Sequence, residues 1–293
     1  MTTLEKKIDF AVIVSVNNAN PNGDPLNGNR PRYDYEGYGE ISDVAIKRKI
    51  RNRLMNEKHS IFVQSDDNKV DDYPSLRKRA EGVISDWKDE KKVREQACKE
   101  WMDVRAFGQV FAYKKDSGSA SGVSIGIRGP VSIHPAFSIA PVLDRVSSIQ
   151  ITKSVNNEGE GGKKEADTMG MKHRVDHGVY VFYGSINPQL ASKTGFSDQD
   201  AQVIKEVLCT LFRDDASSAR PEGSMEVYKV YWWQHNNKNG QYSSAKVHRA
   251  VKKNIRVKDG VEEPKGILDY EIPGKEVIQK ELPGLSFEIL DGE

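Results

Sequence analysis

An apolar run that leads into an Asn/Gly/Pro loop and out through a basic helix constrains this chain more than any other stretch. Residues 8–16 read Ile-Asp-Phe-Ala-Val-Ile-Val-Ser-Val, with the length and β-branched content of a buried strand. The loop that follows crowds Asn17, Asn18, Asn20, Asn22, Asn27 and Asn29 into thirteen residues with Gly23, Gly28, Pro21 and Pro25. Asn and Gly tolerate left-handed backbone and Pro fixes turns, while short amides and free N–H groups bond phosphate, ribose or base edges. The alternative is a long structural connection. Ser42 then supplies an N-cap, and Asp43 a carboxylate at the positive end of the helix dipole. Ile46, Ile50 and Leu54 recur at i, i+4 and i+8, which predicts a helix over 43–56 with that face buried. Lys47 and Arg51 share a neighbouring face, with Arg48 beside them. Residues 43–58 hold six Lys/Arg against Asp43 and Glu57, a local net of +4. Like charges one turn apart repel, so the stripe is either a solvated face or one that meets an anion. The unit is a candidate holder of a single-stranded RNA backbone.

At 293 residues and 37% hydrophobic content, the chain can bury a substantial core as one large domain or two small ones. It has no secretory h-region, and apolar runs such as 10–14 are too short to span a bilayer, so a soluble, cytoplasmic protein without a membrane partner is expected. Cys98 and Cys209 sit far apart in helical patterns and read as small buried side chains, with no disulfide framework and no zinc cluster. The net charge of +1 excludes a general polycation, so nucleic-acid binding must come from local patches. The helix above is one. Lys246, Arg249, Lys252, Lys253, Arg256 and Lys258, with no acid between them, are the other.

Further along, 59–63 reads as a short strand and the acidic run 65–74 as a solvated loop. A charged helical region follows, with Val93, Ala97, Trp101 and Val104 as its apolar stripe. In Asp103-Val-Arg-Ala-Phe-Gly108, Arg105 and Phe107 suit a phosphate clamp and a stacking ring, or equally a surface Arg and a core Phe around a helix C-cap. Residues 114–124 read as a Ser/Gly/Lys loop and 125–139 as extended, with Arg128-Gly129-Pro130 near the start. Gly126-x-x-Gly129 lacks the strand–loop–helix context of a nucleotide fingerprint. Alternation over 146–154, a polar stretch at 155–168 and a second extended arm from 168 predict a long protruding hairpin. Met169 on that arm is a wedge between bases or a Met packed on the body, and His173 and His177 have zinc-like spacing but sit on a strand. A helix from Ser197 to Phe212 and a loop at 214–223 come next. In the strand over 225–234, one of Trp232 and Trp233 is core and the other edge or interface. Short strands are expected near 275–281 and 285–290, and no internal repeat occurs.

This order of elements suggests an α+β fold with a ferredoxin-like core, shared with RNA-recognition modules. Asn18-Ala-Asn-Pro-Asn-Gly-Asp-Pro25 and Ser42-Asp-Val-Ala-Ile-Lys-Arg-Lys-Ile-Arg51 resemble a CRISPR-associated family, the repeated backbone subunit of Cascade of subtype I-C (the Cas-seven family). Asp103-Val-Arg-x-Phe-Gly108, Arg128-Gly-Pro130, Thr168-Met-Gly170 and Thr194-Gly-Phe-Ser-Asp198 match it in the same order, so the resemblance covers nearly the whole chain.

The resemblance implies a hand-shaped single domain. The palm covers about 1–63, 106–146 and 174–293, the helical fingers about 64–105 and the β-hairpin thumb about 147–173. It implies a non-catalytic bacterial protein without cofactor or metal that polymerises along a CRISPR guide RNA, each thumb displacing a base, and presents the spacer to target DNA. Partners are further copies, the large subunit and the subunit capping the 5′ handle. RNA contacts fall on Asn18, Asn20, Lys47, Arg48, Arg51, Arg105, Phe107, Arg128, Met169, Lys172 and His173, with Met169 the wedge. Two departures stand out. Ala19 occupies a loop position where Gly is expected, and Glu158, Glu160 and Glu165 at the thumb tip place RNA contacts at the thumb base. The alternatives are a metal-dependent ribonuclease acting through Asp24 or Asp34 and an unrelated RNA-recognition protein.

Overall fold

The computed structural model describes residues 2–113, 123–153 and 168–293. Of the loop expected over 114–124, positions 114–122 lie outside those residues, as does the thumb tip with its glutamates, while 123 and 124 begin a strand. Among the described residues, the strands longer than two residues are β1 (Ile8–Ala19), β2 (Tyr38–Ile41), β3 (Gly108–Tyr113), β4 (Val123–Arg128), β5 (Val131–Ile133), β6 (Ala136–Pro141), β7 (Val146–Lys153), β8 (Thr168–Ile186), β9 (Met225–Gln234) and β10 (Ser286–Asp291). The helices are α1 (Asp43–Asn56), α2 (Leu76–Val83), α3 (Glu90–Glu100), α4 (Met102–Phe107), α5 (Pro188–Thr194), α6 (Asp198–Cys209), α7 (Ser244–Lys252) and α8 (Lys275–Glu281). An antiparallel sheet runs β10-β9-β1-β8-β6-β2, with β5 and β7 also paired to β8. The fold is mixed α/β around this sheet.

β1 is apolar without a break over 10–14 because both of its faces are covered. Ile8, Phe10, Val12, Val14 and Val16 point into a core shared with α1 and α6. Ala11 and Ile13 point into a second core under α7 and α8, with Val247, Val251 and Ile278. A third cluster joins α2, α3 and α4 to the β3–β4 ribbon through Phe62, Trp101 and Phe111. β8 outlasts the sheet: its inner part pairs with β1, and 168–175 pair with β7 as the base of the expected hairpin.

Three local expectations are corrected. Residues 59–63 form no strand, because the N–H groups of Phe62 and Val63 donate to the Asp103 carboxylate (2.7 and 3.1 Å). Residues 275–281 are the helix α8, whose Ile278, with Leu282 one turn on, is buried. Both tryptophans of β9 are core. Trp232 stacks on Phe10 at 5.6 Å on one face and Trp233 on Tyr231 at 5.8 Å on the other, since both faces of the sheet are covered there.

Candidate nucleic-acid interface

The asparagine loop folds back on α1 through its own amides. Asn22 Oδ1 accepts from the Ser42 N–H and hydroxyl, both at 2.9 Å, which pins the loop to the helix cap. Asn20 is buried and donates to the Asn29 carbonyl at 2.7 Å, and its own N–H donates to the Ala219 carbonyl at 2.9 Å. Asn17 Oδ1 meets His177 Nδ1 at 2.7 Å. Asn18 alone of the first three stays exposed, and it carries the left-handed backbone at φ 52°. Ala19 is buried opposite Val175 in regular register, so the residue that replaces the expected Gly is not the one under strain. Of the two candidate catalytic acids, Asp24 Oδ1 accepts from Leu26 N–H at 3.1 Å and Asp34 Oδ1 from Glu36 and Tyr38 N–H at 3.0 and 2.9 Å. Both carboxylates build turns, and among the described residues no three His, Cys, Asp or Glu gather to hold a metal ion.

The cations of α1 are mostly engaged. Lys47 pairs with Asp43 at 2.9 Å. Lys49 is buried against Asp215, and burial pushes its amine down to about 8 although Asp215 opposes the shift. Arg53 reaches Glu57 at 3.2 Å and Thr210 Oγ1 at 3.0 Å. Arg51 Nε donates to Asp103 at 2.8 Å, with its guanidinium 5.2 Å over the Phe107 ring. Arg48 is exposed and has no ion-pair partner within 4 Å among the described residues.

The two glycine motifs meet backbone to backbone. A Cβ on Gly129 would come within 3.0 Å of Ala106 O, Phe107 C and Gly108 N. One on Gly108, at φ +81°, would crowd Ile127 O and Gly129 N within the same limit. This contact sets Phe107 and the exposed Arg128 at the end of the ribbon next to α1. Arg105 points away: it pairs with Asp200 at 2.7 Å and donates to the Cys98 carbonyl at 2.7 Å. Burial works to raise Asp200, but the Arg105 hydrogen bonds and the Ser197 N–H outweigh it and hold the carboxyl below its ordinary range. Arg105 therefore ties α4 to the capping box of α6.

On the hairpin, side chains alternate between faces. Met169 and Met171 are about half exposed and share one face with His173, which is buried against Ser148 Oγ at 2.7 Å. Burial, then Arg30, keeps the His173 imidazole below its usual range, and burial does the same to His177. Neither is arranged as a zinc ligand, since each is bonded within the sheet. Lys172 and Arg174 lie on the opposite face, where with Asn18, Ser147, Ile149 and Pro221 they enclose about 190 Å³. A polar cleft of about 290 Å³ between α1 and the 214–220 loop holds Arg48, Lys49 and Arg220 beside Asp67 and Asp215. Arg220 lines this cleft and its neighbour Pro221 the other, so one loop joins the two. Asn18, Arg48 and Lys172 thus fall along one track, Arg51 and Phe107 stack beside it, and Met169, His173 and Arg105 face elsewhere. Lys49, Arg174 and Arg220 line the same two clefts; Lys49 belongs to the Lys47-Arg48-Lys49 run and Arg174 follows Lys172-His173, whereas Arg220 is a lone cation in sequence that only folding brings to them.

Residues 6–275 match the family described as CRISPR-associated protein Cas7. A Haloferax volcanii protein described as CRISPR-associated protein Cas7 is 29% identical over 222 residues, which are 71% of this chain and 64% of that protein. This chain thus spans less than two-thirds of that relative's length. Among solved structures, a chain of a CRISPR RNA-guided surveillance complex superposes with a TM-score of 0.50 at 13% identity, covering 98% of this chain and 89% of that one, a likeness of fold. The match over most of its length makes this chain a member of the CRISPR-associated protein Cas7 family.

Proposed function

We propose that this chain is a guide-RNA-binding backbone subunit of a CRISPR surveillance complex of subtype I-C, acting in the bacterial cytoplasm. It polymerises along the guide and presents the spacer to target DNA without cutting RNA itself. Its partners are the guide, target DNA through the guide, further copies, the large subunit and the subunit that caps the 5′ handle. The spatial order β9-β1-β8-β5, with α1 and α6 on one face, supports a ferredoxin-like palm. The α2–α4 cluster serves as fingers and the β7–β8 hairpin as thumb.

The observation that carries this reading is the track from Arg48 across Asn18 to Lys172, which lines up Arg48, Arg220, Lys172 and Arg174 along two adjoining clefts, with Asp67 and Asp215 beside the first. Phosphate contacts of that kind give affinity without sequence preference, as variable spacers require, and pairing supplies specificity. Exposed Arg128 adds a cation beside it, Lys47 and Arg51 border it with their charges shared with Asp43 and Asp103, Phe107 offers a ring, and Asn20 and Arg105 act by holding the loop and α4 in place. Met169, on the hairpin face turned from this chain's own track, is the thumb wedge toward the guide held by a neighbouring copy, and His173 braces the strand that carries it. The double variant Arg48→Ala/Lys172→Ala, purified with a CRISPR array, is expected to lose guide affinity equally for unrelated spacers. Its salt slope should fall by about 1.4, two single-strand phosphate contacts. A spacer-dependent loss, or wild-type protein free of RNA in the presence of the array, would overturn the reading.

A further inference from the structure

The second basic patch lies on the other side of the sheet. α7 packs Val247, Ala250 and Val251 into the core opposite the one under α1, so its cations all face outward and away from the α1 track. Three of the six are occupied by acids or shared with them: Lys253 with Glu281 at 2.6 Å, Arg256 with Glu271 at 2.7 Å, and Lys258 near Asp269. Lys246 lies 4.2 Å from the centre of the Tyr242 ring. Arg249 and Lys252 are exposed and have no ion-pair partner among the described residues. They are three apart, hence neighbours on the helix surface.

α7 and α8 do not cover the whole sheet face. Toward the β6–β2 edge the face stays open as a groove of about 580 Å³. Its floor is Tyr38, Phe137, Ile139 and Tyr183, with Phe137 41% exposed, and Lys252 forms the wall on the α7 side. Tyr183 is braced from behind by stacking on His248 at 5.1 Å. The rim carboxylate of Asp34 is turned into its own loop, which leaves Glu36 as the acid there.

We infer that this groove and the α7 stripe form a second binding surface, for a single-stranded nucleic acid other than the guide. Flat rings on an open sheet face suit unstacked bases, and Lys252 on the wall, with Arg249 one turn along α7, suits the phosphates that connect them. An acidic polypeptide would use the cations and leave the rings without a role. The source of the strand rests on the function proposed above: a guide that pairs with one strand of a duplex releases the other.

The test is fluorescence anisotropy of the purified full chain, with whatever guide it retains, against labelled oligothymidylate DNA and oligouridylate RNA. Arg249→Ala/Lys252→Ala should lower affinity and reduce the salt slope by about 1.4. Phe137→Ala should lower affinity about tenfold at an unchanged slope. Guide content, read as the 260/280 nm absorbance ratio, should equal wild type in both. Loss on DNA alone assigns the surface to a released DNA strand, and equal loss on both assigns it to single strands in general. Unchanged affinity in both variants overturns the inference. So does a loss that Phe137→Ala does not share while polyglutamate binding drops in parallel, because the patch is then a charge surface for protein. If wild type carries no guide yet the oligonucleotide results hold, the guide reading fails and this one stands.

Discussion

Gly126 and Gly129 stand three residues apart in one ribbon and should respond oppositely to the same methyl group. At Gly129 a Cβ would sit within 3.0 Å of three backbone atoms of 106–108, none of which can rotate away. Restoring ordinary contact requires the β4 end and the α4 C-terminus to separate, an overpacking cost of about 3 kcal/mol. With an unfolding entropy of about 2.1 cal/mol/K per residue, 293 residues give about 0.6 kcal/mol/K, so Gly129→Ala should lower Tm by about 5 °C. At Gly126 a Cβ meets nothing within 4 Å, and the backbone is not left-handed. Gly126→Ala should therefore leave Tm unchanged or raise it slightly, because Ala costs less entropy in a strand. Paired thermal melts by circular dichroism decide the matter. Equal shifts for the two variants would refute the claim that 129 touches backbone. A silent Gly129→Ala would also remove the reason for Phe107 standing where it does.

Three further outcomes follow from the side-chain network. Because Asp200 titrates below its ordinary value when folded, its contribution is full above about pH 4 and lost as pH falls through that lowered value. Asp200→Asn should remove this acid-side loss and cost about 3 kcal/mol at pH 7 by stranding Arg105, as urea midpoints at both pH values would show. Lys49 is the reverse case: with a folded value of about 8, the folded state gives up its proton first. Stability should then rise between pH 8 and the unfolded value of about 10.4, by about 3 kcal/mol in full, and Lys49→Met should lack that rise in a wild-type-minus-variant comparison. Asn18→Val should lose about 1–2 kcal/mol in urea through its left-handed backbone, whereas Asn18→Gly should lose none.

What was legible in the sequence was what neighbours decide. The Ser42 cap and the Ile46, Ile50, Leu54 spacing define α1 from 43 to 56, because capping and periodicity act within one or two turns. The apolar run of β1 over 10–14 matches a strand covered on both faces. What was not legible was decided at a distance. The Phe62 and Val63 amides find their acceptor on Asp103, about forty residues on, so an extended apolar run becomes an irregular segment. Trp233 is core because β10 and α8, from the far end of the chain, cover its face.

The candidate site divides along the same line. Counting charges over 43–58 predicts a strongly positive stripe, but its acids arrive from elsewhere: Asp103 for Arg51, Asp215 for Lys49 and Asp214 for Arg53. In space the helix is close to neutral apart from Arg48. The positive track is instead assembled from Arg48 on α1, Arg220 on a loop and Lys172 and Arg174 on the hairpin, no two of these elements adjacent in sequence. The internal pairs are what hold these four in place. Arg51, fixed by Asp103 and lying over Phe107, sets the angle of α1 against α4, and Lys49 with Asp215 ties α1 to the loop that bears Arg220. A run of cations that reads as a ligand-binding stripe is thus mainly the frame, and the cations facing the ligand are the scattered ones that the frame brings into line.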